Sequence, residues 1–119
     1  MENKKEKLLV QFSKAFVNGD HQFMLNQVTE DFHWIMIGKK EIKGKAQFAD
    51  ALKDMKNCVT SELELVDVIT HGKKACVNGN MKVGSPKAED QSFSFCDVYE
   101  FSSFKEPKIK RMTSYLIER

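Results

Sequence analysis

Asp97 sits inside the run Phe93-Ser94-Phe95-Cys96-Asp97-Val98-Tyr99-Glu100-Phe101, an acid within what reads as a strand. Alternation along a strand places Phe95, Asp97, Tyr99 and Phe101 on one face. A carboxylate among aromatic rings is costly as an anion and needs a hydrogen bond, a partner charge or a chemical role. Desolvation raises the pKa of such a group, so Asp97 is placed to donate as a neutral acid or to relay a proton. Tyr99, two residues on, would supply an orienting hydroxyl. The following run, Lys108 to Ile117, puts Met112, Ser114 and Leu116 on a shared face. A plainer reading stands beside this one. Asp97 can simply hydrogen-bond Tyr99, Ser114 or a backbone amide, and Tyr99 can be a core tyrosine with its hydroxyl satisfied.

Other chemistry finds little support. His33 alternates away from Trp34, which points it under the helices or toward an edge and away from a dyad with Asp97. His21 and His71 fall at a helix start and a turn. No group of His, Cys and carboxylates has metal-ligand spacing, and neither a Gly-rich phosphate loop nor a G-x-S-x-G elbow occurs. No metal and no cofactor are expected. Lys39, Lys40, Lys43 and Lys45 form a small basic patch, read as a solvated turn, with steering of an acidic ligand as the other option. Cys58, Cys76 and Cys96 are widely spaced and odd in number, which argues against a disulfide framework. Cys96 reads as ordinary apolar packing.

The 119 residues suffice for one domain with its own core, and 1–119 reads as a single domain. Hydrophobic content of 41% against 30% charged residues is the balance of a globular chain, not a disordered one. A net charge of +2 implies no strong attraction to nucleic acid. No apolar run approaches the roughly 20 residues that span a bilayer, so no membrane partner is expected. The lysine-rich start leads into an amphipathic segment without a small-residue cleavage site, a poor signal peptide, and the expected location is cytoplasmic.

Several elements must position the acid. Leu8, Phe12, Ala15 and Phe16 recur at helical spacing, predicting a helix over residues 3–18 that ends at Asn18-Gly19. Asp20 caps a second short helix carrying Phe23, Met24 and Val28. Residues 31–37 alternate, with Phe32, Trp34 and Met36 on one face and His33, Ile35 and Ile37 on the other. Gly44 precedes a third helix with Phe48, Leu52 and Met55 on its stripe. Strands follow over Thr60–Thr70 and Lys74–Val83, joined at His71-Gly72-Lys73, the second weakened by Gly79. Gly84 to Asp90 reads as a polar loop, and the last two strands are linked near Lys105-Glu106-Pro107. Helices first and antiparallel strands later indicate an α+β fold.

That order resembles the nuclear transport factor 2-like superfamily, particularly its SnoaL-like, polyketide-cyclase-like branch. The resemblance rests on Phe16-Val17-Asn18-Gly19-Asp20, Glu30-Asp31-Phe32-His33-Trp34, Glu41-Ile42-Lys43-Gly44, and the closing Asp97-Val98-Tyr99-Glu100-Phe101 with Lys108-Ile109, from about Leu8 to Ile117. It implies a cone-shaped α+β barrel, with three N-terminal helices packed on a strongly curved, mainly antiparallel sheet of the cystatin-like kind. It also implies an apolar cavity at the wide end. Phe12, Phe16, Trp34, Met36, Phe95, Met112 and Ser114 would line that cavity, with Asp97 and Tyr99 as the catalytic candidates. Ketosteroid isomerase, a member of the superfamily, uses a general-base Asp, a Tyr and a protonated Asp. The resemblance sets Met36 at the base position and Phe12 at the tyrosine position, leaving only Asp97 with a counterpart.

Two functions follow. One is a small-molecule-binding domain for an apolar ligand, extending to a cofactor-independent isomerase, cyclase or dehydratase that acts on an apolar carbonyl compound through Asp97. The other is a non-catalytic dimerisation or protein-interaction module. Either way the superfamily implies a homodimer through the outer sheet face, where Val98, Arg111, Thr113, Tyr115 and Ile117 lie.

Overall fold

The computed structural model describes residues 4–55, 58–85, 88–103 and 105–119. The first helix, α1 (Lys4–Asn18), buries Leu8, Leu9, Phe12 and Ala15 along one stripe. It stops where Gly19 takes φ of +71°, a geometry that side chains disfavour, and the Asp20 amide closes back on the Ala15 carbonyl at 3.0 Å. Asp20 then caps α2 (His21–Asn26), its carboxylate accepting from the Phe23 amide at 3.2 Å. The third helix, α3 (Lys45–Asp54), follows Gly44 and buries Phe48, Ala51 and Leu52.

The strands are β1 (Val28–Met36), β2 (Lys40–Lys43), β3 (Val59–His71), β4 (Lys74–Ser85), β5 (Ala88–Phe101) and β6 (Ile109–Glu118). They form one six-stranded sheet in the order β2-β1-β6-β5-β4-β3. All neighbours are antiparallel except β1 and β6, which run parallel. One face of this curved sheet is covered by the helices, with α1 against β3 and α3 against β1. The expected α+β cone is therefore present, and its core lies between the three helices and the inner sheet face.

Three boundaries depart from the sequence reading. Val28 leaves the second helix and joins β1, opposite Ile109; the Ile109 amide donates to the Gln27 carbonyl at 2.8 Å, which draws the chain into the sheet directly after α2. The presumed lysine turn contains β2, an edge strand with Ile42 inward and Lys40, Glu41 and Lys43 outward. Its charges disguise a strand because an edge strand needs only one buried side chain and charges protect its open side. The Gly84–Asp90 loop is mostly strand as well: Val83 pairs with Gln91 and Ser85 with Ala88. Glu89 and Asp90, successive residues on opposite faces of β5, are both exposed, so polar side chains here are compatible with pairing. Residues 86–87 of that expected loop lie outside the described residues.

Candidate functional site

Sheet register assembles the inner face in rows. Met36, Ser114, Asp97 and Val77 are successive partners across β1, β6, β5 and β4. The row on one side of it is Trp34, Met112, Tyr99 and Ala75, and on the other Leu116, Phe95 and Gly79. Of the residues that the sequence nominates, Trp34, Met36, Phe95, Asp97, Tyr99, Met112 and Ser114 thus occupy one patch of one face. Phe12 and Phe16 reach the same patch from α1. Phe12 meets Tyr99 edge-on with ring centres 6.2 Å apart, and Phe16 lies 5.8 Å from Trp34.

Depth divides the patch. Phe12, Trp34, Tyr99 and Met112 are buried, and Phe48 of α3 packs on Phe12 and Trp34. These side chains fill the space between helices and sheet. Phe16, Met36, Phe95, Asp97 and Ser114 are half-buried, so the row containing Asp97 forms the edge of the core that solvent can reach.

Gly79 explains how Phe95 fits there. A Cβ at Gly79 would stand 3.1 Å from the tip of the Phe95 ring and 2.1 Å from the Glu64 carbonyl oxygen. The bare glycine lets the ring lean over β4 and lets β3 approach.

Asp97 keeps an edge in solvent, yet protein crowds its carboxyl group. Burial pushes its pKa from 3.8 up to about 6, and a hydrogen bond from the Ser114 hydroxyl partly opposes the rise. Trp34 Nε1–H donates to Ser114 Oγ at 2.9 Å. That leaves the hydroxyl proton available to Asp97, the cross-strand partner of Ser114, and this serine is the side chain that holds the acid's pKa down.

Tyr99 is fully buried, and burial followed by the nearby Asp97 charge holds its hydroxyl well above the ordinary range. The Ser13 hydroxyl lowers it somewhat, without a hydrogen bond of regular geometry. Among the described residues the Tyr99 hydroxyl has no partner, which is unusual for a group with no access to water.

The remaining nominees are elsewhere. His33 lies opposite Arg111 on the outer face, 3.3 Å from Glu41 Oε2, and so is not joined to Asp97. In the lysine patch, Lys45 pairs with Glu30 at 3.7 Å and Lys43 with Glu41 at 3.9 Å, which spends part of its charge locally. Among the described residues no group of three or more His, Cys, Asp or Glu is arranged to hold a metal.

Sequence reasoning passed over an open cleft of about 600 Å³ between α1 and β3, lined by Val10, Lys14, Val17, Leu63, Leu65 and Val68 with Asn18. Its signal was a second stripe on α1, Val10 and Val17 seven residues apart, which the core stripe overshadowed. Val68 pairs with Val77, the partner of Asp97, so the cleft and the acid share one inner face. None of the nominated residues lines it.

Comparison with known proteins places this geometry. The family model of the SnoaL-like domain matches residues 9–112. The chain therefore belongs to the SnoaL-like family of the nuclear transport factor 2-like superfamily. A nuclear transport factor 2-like protein of unknown function from Cytophaga hutchinsonii is similar at 26% identity, covering 94% of this chain and 98% of its own, with a TM-score of 0.71. An M. tuberculosis epoxide hydrolase of the LEH-like kind gives 17% identity, 93% and 80% coverage and a TM-score of 0.80. The epoxide hydrolase/cyclase-like enzyme SalBIII, with a role in pyran ring formation in polyether salinomycin, gives 16%, 96% and 91% and 0.80. The last two likenesses concern the fold. No curated protein matches the chain in sequence.

Proposed function

We propose that this SnoaL-like domain binds a small apolar molecule at the half-buried edge of its core and uses Asp97 on it as an acid or base. The observation that carries the reading is a carboxyl group with a pKa near 6, opposite Ser114 and Val77 in the sheet, with Phe95 beside it on β5 and Met36 beyond Ser114 in the same row. A group that titrates near working pH is available in both protonation states, which general acid–base chemistry requires. Phe16, Met36 and Phe95 offer apolar contact beside it, and methionine adapts to irregular ligand shapes. The candidate reactions are isomerisation, cyclisation or dehydration of an apolar carbonyl compound, without a cofactor. Epoxide opening joins them on the strength of the hydrolase and cyclase-like neighbours.

Chemistry of the steroid-isomerase type has little to work with. The position that the resemblance gives to its base is Met36, in the same row as Asp97 and two strands away. A thioether cannot accept a proton at neutral pH. Phe12, at the tyrosine position, has no hydroxyl and is locked in the aromatic core. Any proton transfer in this patch falls to Asp97.

The test is a melting-temperature screen of wild type and Asp97→Asn against flat ketones, steroids, aromatic polyketides, fatty acids and epoxides. A selective upward shift that weakens in the variant supports the site. A shift of equal size in both would move the ligand away from Asp97.

A second reading has its own observation. On the outer face Tyr115 is 45% and Ile117 69% exposed, beside Val98 and Thr113. These apolar groups suit a homodimer through the sheet, and a domain acting only as a dimerisation module would use this face alone. Light scattering that reports a monomer at micromolar concentration would remove that reading.

A further inference from the structure

Two thiols touch on the outer face of the sheet, where the proposed site does not reach. Cys76 Sγ and Cys96 Sγ are 3.3 Å apart. Cys76 is opposite Val98 and Cys96 opposite Asn78, so the pair are diagonal neighbours on β4 and β5. Both are half-buried, whereas Cys58 is exposed. A disulfide bond is about 2.05 Å long and seldom spans Cα atoms more than about 7 Å apart, so closure of this diagonal pair asks the sulfurs to approach and the two strands to draw slightly together. Two thiols without further ligands make a poor metal site, and among the described residues no third metal-binding side chain joins them.

We infer that Cys76 and Cys96 are a reversible dithiol–disulfide site, oxidised by a peroxide and restored by a small thiol. In the first step one thiolate attacks a peroxide oxygen; the O–O bond breaks, the other oxygen leaves as hydroxide and is protonated to water, and the sulfur becomes a sulfenic acid. The second sulfur attacks the first, the S–O bond breaks, and the oxygen leaves as water with the second thiol's proton. Overall, two thiols and one hydrogen peroxide give one disulfide and two waters. Burial, followed by the neighbouring Cys76, pushes Cys96 up to about 11, so its thiolate is scarce at neutral pH. That suits Cys96 to the second step. Contact with its target compensates for a small thiolate fraction, and a sulfur of high pKa is intrinsically the stronger nucleophile. Cys58 is exposed and lies before β3, on neither of the strands that carry the pair.

The experiment treats wild type and Cys58→Ser, which spares both partners, with hydrogen peroxide, followed by intact mass and non-reducing peptide mapping. Cys58→Ser is expected to lose two hydrogen atoms as a monomer, to yield a Cys76–Cys96 cross-linked peptide, and to recover its mass with dithiothreitol. Adding Cys96→Ser should abolish the cross-link and leave Cys76 carrying added oxygen, and an untouched Cys76 would overturn the assigned order of attack. The inference is overturned if Cys58→Ser keeps two alkylatable thiols while glutathione in the same tube is oxidised. It is equally overturned if the two cysteines gain oxygen separately without a cross-link.

Discussion

Asp97 and Ser114 stand directly opposite each other on β5 and β6, and the hydroxyl that accepts from the Trp34 indole also holds down the pKa of the acid. Ser114 accepts from the indole, which leaves its own proton available to the acid opposite. The arrangement reaches from the aromatic core, through Trp34, to the solvent-accessible edge. It is built by pairing alone: β1 lies beside β6, and β6 beside β5. Among the described residues no salt bridge holds the acid, and its pKa stays high enough for proton exchange near neutrality.

The stability of the fold should carry the signature of this acid. Its folded pKa of about 6 lies above its ordinary 3.8. Between these values the folded state holds a proton that the unfolded chain has released, so stability falls as pH rises from about 4 to about 6. Below that window the carboxyl is neutral in both states, and above it the folded state bears the full penalty. At ~1.4 kcal/mol per pKa unit, the penalty is at most ~3 kcal/mol, reduced by the solvent edge that Asp97 keeps. Asp97→Asn should therefore match wild type near pH 4 and exceed it near pH 7. Urea unfolding across that range measures the difference, and parallel pH profiles would refute it.

Ser114→Ala should act on both neighbours. The Trp34 indole loses its acceptor in a part-buried setting, which costs about 1–3 kcal/mol. Asp97 loses the one hydrogen bond that lowers its pKa, so its titration should move above 6. Carbon-detected NMR of the Asp97 carboxyl reads the second effect. Trp34 is the chain's single tryptophan, so its fluorescence reports the first without ambiguity. An Asp97 pKa that falls in this variant would mean that Ser114 does not donate to it.

Much of this patch was legible in the sequence because a strand's period of two is strict. Once Asp97 was assigned to a strand, Phe95 and Tyr99 had to share its face, and Met112, Ser114 and Leu116 theirs. Alternation does not reveal depth. Trp34 and Met36 alternate alike, yet Trp34 is buried against Phe48 while Met36 remains at the edge, because α3 covers only one of them closely. Nor does it reveal which strands pair. The parallel contact of β1 with β6, between residues some eighty positions apart, brings Trp34 to Ser114. No local pattern encodes that contact. β2 escaped notice for a different reason, since Ile42 is the only buried side chain in four residues.

Tyr99→Phe tests the unpartnered hydroxyl. With no partner among the described residues, the group carries an uncompensated desolvation cost, of the order of 1–3 kcal/mol. Removing it keeps the ring against Phe12 and should stabilise the protein by about 1 kcal/mol in urea unfolding. Loss of stability instead would show that the hydroxyl is satisfied, by Ser13 or by a buried water. In either case the ionisation of Asp97 near 6 should persist, because Ser114, not Tyr99, is the side chain hydrogen-bonded to it.

Gly79 sets the position of Phe95 and stands where the backbone of the next strand leaves no room for a side chain. An added methyl at this position meets the Glu64 carbonyl oxygen at 2.1 Å, which is backbone of the adjacent strand and cannot swing away. The same methyl meets the Phe95 ring at 3.1 Å, where the ring can yield by turning outward. Gly79→Ala should therefore have two separable effects. Pushing β3 from β4 costs about 1–3 kcal/mol, as overpacking usually does, and lowers the melting temperature by several degrees. Displacing Phe95 moves an aromatic side chain that neighbours Asp97 along β5, so any ligand shift found at the Asp97 edge should shrink further than the stability loss explains. Phe95→Leu separates the two, since it removes the ring while leaving the β3–β4 contact intact. A Gly79→Ala variant that melts with wild type would show that β3 accommodates the methyl and that glycine is not required here.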